Sequence, residues 1–276
     1  MEHRPSKSEV EYCRICGMNS RFFDEAKILQ KYSVAYFSCN SCGFIQTEAP
    51  YWLDEAYSSA ICAQDTGILE RNLSNRRITT AVLNLLFPKA QRSLDFGAGH
   101  GIFVRLMRDS GFDFSWHDLH ATNDYARGFE HKENETYDFL TAFEVLEHLT
   151  DPIAELSNMI SLSENVFVST EILPDPAPKV SDWWYYGTNG GQHISFYTLE
   201  SLRLIARRFG RHLLSCGAYH LFTAEPKNKL LFRLAVSKRV VRVLNAFYRR
   251  PSLRQSDFDR LNESNVETKN GSSAQK

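Results

Sequence analysis

Two matched cysteine pairs stand near the start of the chain, Cys13-Arg-Ile-Cys16-Gly and Cys39-Asn-Ser-Cys42-Gly. A CxxC pair repeated across a loop long enough to fold back supplies four thiolates that can converge tetrahedrally on Zn2+. The glycine after each second cysteine suits a tight knuckle whose amides point at sulfur. Between the pairs, Tyr32-Ser-Val-Ala-Tyr-Phe-Ser38 alternates like a strand, as in a small zinc ribbon. Disulfides are not expected without secretion, and a redox CxxC normally occurs once, opening a helix. Four cysteines leave no open position, so the zinc would be structural. Cys62 and Cys216 stand alone and read as small buried hydrophobes.

A second chemistry-bearing stretch is Arg92-Ser-Leu-Asp-Phe-Gly-Ala-Gly-His-Gly-Ile-Phe-Val-Arg-Leu-Met107. A short apolar strand, Ser93 to Phe96, runs into Gly97, Ala98, Gly99 and Gly101. A helix follows with Ile102, Phe103, Leu106 and Met107 along one face. Strand, glycine turn and helix form the first unit of a doubly wound α/β fold, where ligands bind at the turns. The pattern is GxGxG rather than the dinucleotide GxGxxG, and Asp95 precedes the first glycine. A pyrophosphate disfavours a carboxylate there, whereas the amino group of a methionine moiety favours one. Asp118 closes the next strand, Phe112 to Asp118, where a carboxylate can bond a ribose diol.

An acid before GxGxG and a second acid closing the next strand resemble the motifs of class I S-adenosylmethionine-dependent methyltransferases. The fold this implies is a doubly wound, Rossmann-like sheet with S-adenosylmethionine at the glycine loop. Tyr137 to Phe143 reads as a buried strand leading into Glu144-Val-Leu-Glu-His-Leu-Thr-Asp-Pro152, then a helix from Pro152 to about Ser161. In the family the turn after the fourth strand meets the methionine end of the cofactor. The resemblance therefore gives Phe143 and Glu144 that role and leaves Glu147 and His148 to cap or brace the turn. Asn165 to Thr170 is the fifth strand. No third strand is evident between Asp118 and Tyr137, and Phe129 and Glu130 stand for the adenine contact.

After the fifth strand and the loop Leu173-Pro-Asp-Pro-Ala-Pro-Lys179 comes Asp182-Trp-Trp-Tyr-Tyr-Gly-Thr-Asn-Gly-Gly-Gln-His-Ile-Ser-Phe-Tyr-Thr198. Thr198 then caps a helix from Leu199 to Phe209. An insertion over the carboxyl ends of the strands is where an acceptor would lie. Methyl transfer needs a nucleophile held close, aligned and dry. An alcohol or enolisable carbon also needs a base, and His193 is the candidate. The competing reading is a partly buried histidine that bonds backbone. Trp183, Trp184, Tyr185 and Tyr186 would wall the acceptor.

A zinc module, a Tyr-Ser-Ser segment and a class I core together resemble the sugar C-methyltransferases of deoxysugar biosynthesis and methyltransferases of bacterial polysaccharide clusters. Those C-methyltransferases carry an active-site Glu-His pair and a tyrosine. The matching positions here are Gln192-His193 and Tyr57. Gln192 removes the carboxylate that would help enolise a keto-sugar, and the large C-terminal domain of those enzymes is absent. Both departures favour O-methylation of a sugar hydroxyl, nucleotide-linked or in a glycan, over C-methylation of a nucleotide-linked keto-deoxysugar. A methyltransferase-like scaffold that uses its zinc ribbon for partners is the non-enzyme alternative.

The expected organisation is a zinc ribbon over 1–50, a lid or helical connector over 51–90 and a methyltransferase core over 91–224. A basic amphipathic helix over 225–255 and a disordered tail over 256–276 complete it. Asp65, Thr66 and Arg71 are the polar candidates of the lid. With a net charge of −1 the chain is not built around nucleic acid, and none is expected as partner. The polar start predicts no signal peptide, and no apolar run reaches the roughly 18 to 20 residues of a membrane span. A cytoplasmic location is expected. The run from Lys227 to Arg254 carries cations and no acid, so it could also lie on the inner face of an anionic membrane.

Overall fold

The computed structural model describes residues 10–57 and 66–273. Ser58, Ser59, Cys62 and Asp65, which the sequence places in the lid stretch, lie outside the described residues. The chain begins with β1 (Val10–Tyr12), β2 (Asn19–Ile28), β3 (Tyr32–Cys39), β4 (Ile45–Thr47) and α1 (Leu53–Ala56). Next come α2 (Ile68–Leu86), β5 (Arg92–Phe96), α3 (Ile102–Asp109), β6 (Asp113–His117) and β7 (Phe139–Phe143). They are followed by α4 (Pro152–Leu162), β8 (Asn165–Ser169), β9 (Ser195–Phe196), α5 (Leu199–Arg208), β10 (His212–Cys216) and β11 (Tyr219–Thr223). The chain ends in α6 (Lys229–Ala235), α7 (Lys238–Phe247) and α8 (Arg254–Ser273).

Two compact units share these elements. The first unit takes residues 1–65 and 142–227, the second 66–141 and 228–276. The cysteine module is therefore no separate domain, as expected for 1–50, but part of a unit that includes the second half of the core. In the first unit β1, β2, β3, β4 and β9 form one antiparallel sheet. Its inner face packs Ile28, Val34, Tyr36 and Ile45 against Trp52, Ile194 and Phe196. The unit also contains β8, β11 and β10, each antiparallel to the next. Two helices here begin on good caps. Asp151 accepts from the Ala154 amide with Pro152 at the first position of α4. Thr198 and Ser201 form a reciprocal capping box on α5.

In the second unit β5 pairs in parallel with β6 and β7, in register Asp95↔Trp116 and Asp95↔Thr141. Ser93 to Phe96 are all buried, as a strand covered on both faces requires. Among the described residues no strand lies between β6 and β7; a single bridge, Trp116↔Glu130, marks the gap. These parallel strands and the antiparallel β11 make up the mixed α/β set of a Rossmann-like fold.

The carboxyl-terminal part differs from the expectation in two ways. Residues 225–255 do not make one helix: α6 ends at Ala235, and α7 starts after Ser237. The expected disordered tail is largely helix α8, because Asp257 is buried and anchors it. Its carboxylate accepts from Arg108 Nε and Nη2 at 2.9 and 2.6 Å and from Arg105 Nη2 at 2.8 Å. Leaving one partner of such a buried pair alone costs about 3–5 kcal/mol. Among the described residues no helix is long and apolar enough to cross a membrane.

Candidate functional site

The glycine loop of the second unit is built on left-handed backbone: Gly97, Gly99 and Gly101 have φ of 70°, 52° and 85°. A Cβ at Gly101 would lie 2.8 Å from Asn123 Oδ1, whereas one at Gly99 would meet nothing within 4 Å. The loop is thus closed on one side and open on the other. Gly97 and Ala98 both donate to the His117 carbonyl. Asp118 Oδ2 accepts from the Gly99 amide at 2.8 Å, and Oδ1 accepts from the His120 and Ala121 amides. One lone pair, on Oδ2, is left for a diol. Asp118 therefore fixes the loop as well as offering an acceptor.

Asp95 is buried, and its Oδ1 accepts from Thr141 Oγ1 at 2.6 Å. Burial pushes its carboxyl up to about 7, against the pull of that hydrogen bond. His100, inside the glycine loop, pairs Nδ1 with Asp124 Oδ2 at 2.6 Å. The sequence reading missed this pair, although a histidine between two loop glycines was its visible signal. Phe129 does not suit the adenine role given to it. It is buried, with the Arg108 guanidinium 3.7 Å over its ring. Glu130 Oε1 accepts from Asn123 and the Gly128 amide.

The remaining candidates lie in the first unit. Glu144 has a φ of 54°, an uncommon conformation for a residue with a side chain and one that gathers at functional turns. Ser169 holds it there: its hydroxyl donates to Glu144 Oε1 at 2.6 Å and accepts from the Glu144 amide at 3.0 Å. Phe143 packs edge-on against Phe167 and Tyr219.

Tyr57, Glu147, His148, Gln192 and His193 come together within this unit. His193 Nδ1 lies 2.7 Å from the Tyr185 carbonyl, which can only accept, so Nδ1 carries the proton. Nε2 is then the proton-accepting nitrogen of the neutral ring. The backbone bond of the competing reading is therefore present, and it orients the ring. Tyr57 Oη is 3.1 Å from His148 Nδ1, and the His148 ring meets His193 edge-on at 4.9 Å. Burial, with His193 beside it, lowers His148 to about 3, so it is neutral at physiological pH. Glu147 is fully buried, and among the described residues its carboxyl oxygens have only the Tyr185 and Thr170 hydroxyls nearby, neither in a well-formed hydrogen bond. Burial, aided by the charge of Glu144, pushes it up to about 8. Sequence reasoning treated Glu147 and His148 as braces, because a turn after a strand gives no sign of what the fold brings to it.

Gln192 Nε2 donates to the Ala56 carbonyl at 2.8 Å and ties the loop down. One assignment needs correction. Tyr185 and Tyr186 are not acceptor walls. Both are core residues, 1% and 0% exposed, packed with Tyr36 and Phe196. Aromatic content alone could not separate wall from core. Trp183 is half-buried against the same cluster, and Trp184, 75% exposed, remains open to a ligand.

The four cysteines of the first unit converge. Cys13 and Cys42 sulfurs are 3.6 Å apart and those of Cys16 and Cys39 3.4 Å, near the roughly 3.8 Å edge of a tetrahedral zinc–thiolate site. All four ligand atoms lie within 4.8 Å of one another. The two knuckles repeat one hydrogen-bond pattern, Gly17 to the Cys13 carbonyl and Gly43 to the Cys39 carbonyl. The glycine amides thus close the turns rather than point at sulfur; the Ile15 amide does that, 3.4 Å from Cys13 Sγ. Cys216 is half-buried. Arg14, inside the first knuckle, donates to the carbonyls of Thr47, Glu48 and Ile194, the last beside His193.

A family model described as a methyltransferase domain matches residues 69–215, more than half of the chain. No curated protein matches the sequence. Solved structures resemble it at low identity. An O-methyltransferase family protein from Burkholderia thailandensis is 18% identical over 62% of this chain and 66% of its own, with a TM-score of 0.43. Mitomycin 7-O-methyltransferase is 12% identical over 62% and 59%, with a TM-score of 0.43. A plantazolicin methyltransferase in complex with a monoazolic desmethylPZN analog and SAH is 12% identical over 70% and 86%, with a TM-score of 0.45. The chain thus spans less than two thirds of the first two.

Proposed function

Given that the chain belongs to the methyltransferase domain family and is an S-adenosylmethionine-dependent enzyme, we propose that it methylates a hydroxyl oxygen of a sugar, nucleotide-linked or in a glycan. The observation that carries this reading is the His193–Gln192 pair. His193 is held by the Tyr185 carbonyl with Nε2 as its proton acceptor. Its neighbour Gln192 is an amide donor engaged with Ala56, not a carboxylate. With an amide at position 192 and the carboxyl of the nearby Glu147 pushed up to about 8 by burial, His193 suits removal of a single hydroxyl proton rather than enolisation of a keto-sugar.

S-adenosylmethionine supplies an electrophilic sulfonium methyl when bound. Asp118 and the glycine loop of the second unit are the residues that would hold it. His193 Nε2 takes the acceptor's proton as its oxygen becomes nucleophilic, and the Tyr185 carbonyl stabilises the resulting imidazolium through Nδ1. Tyr57, whose hydroxyl lies 3.1 Å from His148 Nδ1, would orient an acceptor hydroxyl, and exposed Trp184 would offer an apolar face to a sugar ring. We assign Cys13, Cys16, Cys39 and Cys42 to one structural Zn2+, on the fit of their sulfur spacing.

A screen of nucleotide sugars and glycan fragments, read by product mass and by the NMR shift of the new methyl, tests the reading. An O–CH3 signal is expected. A C–CH3 signal would move the enzyme to C-methylation, and cofactor binding without turnover on any acceptor would favour a scaffold.

A further inference from the structure

The helices α6 and α7 present a surface that the methyl-transfer chemistry does not use. Both pack on α2 through one side, burying Phe232, Ala235, Val236 and Val241. Their other side is exposed and carries two kinds of residue in register. On α6 the apolar pair Leu230 and Leu234 stands one turn apart, flanked by Lys229 and Arg233. On α7 Arg239, Val243 and Phe247 form one ridge at four-residue spacing, with Arg242 beside it and Lys238 at its start. Phe247 is 80% exposed. None of Lys229, Arg233, Lys238, Arg239, Arg242 or Arg249 forms an ion pair among the described residues. No Asp or Glu occurs between Asn228 and Arg254, although the whole chain carries a net charge of only −1.

We propose that the exposed side of α6 and α7 docks on an anionic phospholipid surface. The apolar ridges enter the interface below the phosphates, and the flanking cations meet the phosphates themselves. Charge complementarity selects this occupant: unpaired cations gather on one face of a nearly neutral protein. The apolar ridges decide against nucleic acid, whose backbone would offer Phe247, Val243 and Leu234 no apolar environment. This docking rests on the surface alone and stands whether or not the acceptor is a sugar.

Co-sedimentation of the full chain with vesicles of phosphatidylcholine, alone or mixed with phosphatidylglycerol, tests the proposal. Binding should appear only with the anionic lipid and fade as salt rises. Arg239→Glu with Arg242→Glu should weaken it about 25-fold or more, since each cation near the surface is worth about fivefold. Val243→Ser with Phe247→Ser should weaken it too, with the charge unchanged. All four positions are exposed, and circular dichroism checks that the variants fold. Absence of wild-type binding to the anionic vesicles, or binding that survives both double substitutions, would overturn the proposal. So would a DNA duplex that displaces the vesicles and binds the Val243/Phe247 variant as tightly as wild type.

Discussion

His193 Nδ1 and the Tyr185 carbonyl lie 2.7 Å apart, so a core tyrosine's backbone sets the ring orientation and tautomer of the candidate base. Replacing His193 by Ala should leave S-adenosylmethionine affinity intact and lower turnover by about 100- to 10,000-fold, the range of a general base. Calorimetry and a rate assay on the same preparation separate the two effects. A variant that turns over at the wild-type rate would make His193 structural.

Glu147 offers a test through stability and pH. Its carboxyl sits at about 8 in the fold against an ordinary value of 4.5. A raised folded value means the fold binds a proton that the unfolded chain has released. Its contribution is complete below the ordinary value and is lost as pH rises through the folded one. Wild type should therefore lose stability between about pH 5 and about pH 8.5, and Glu147→Gln should lose less. Asp95 has the same sign, so the difference between wild type and variant isolates Glu147. Parallel denaturation midpoints across that window would show the carboxyl to be ionised throughout.

At the glycine loop, Gly99→Arg puts a side chain into the open side, where a Cβ meets nothing within 4 Å. It should abolish S-adenosylmethionine binding in calorimetry while the protein stays folded. Asp118→Ala removes both the loop's tether and the remaining acceptor and should weaken binding as well. Unaltered affinity in both would detach the cofactor from this loop.

Metal analysis should find about one zinc per chain. Cys13→Ser should lower that content and the melting temperature together, because it removes one of the four converging sulfurs. A folded, metal-free wild type would remove the zinc assignment.

What could be read from the sequence was local. The cysteine spacing, the GxGxG loop and the Thr198 cap each declare themselves within a few residues, and the fold places each as a short motif should be placed. What could not be read depends on partners far along the chain. Tyr185 and Tyr186 became core because β3 presents Tyr36 to them. The tail became helix because Asp257 finds Arg108. Gln192, read as a substituted catalytic group, turned out to be a donor to Ala56, a contact no spacing encodes. Glu147 and His148 looked like turn residues until Tyr57 and His193 were brought beside them.

The pairing of β4 with β9 joins Ile45 to Phe196, about 150 residues apart in sequence. Closing that loop comes late, since distant strand pairing must overcome chain entropy before it gains contacts. As the chain leaves the ribosome, the cysteine module would emerge well before β9 and wait about 150 residues for its last strand. Metal capture can precede that moment, but the strand that completes the sheet also brings His193. Assembly of the candidate base is thereby tied to late synthesis: a truncated chain could bring its four cysteines together and still lack His193.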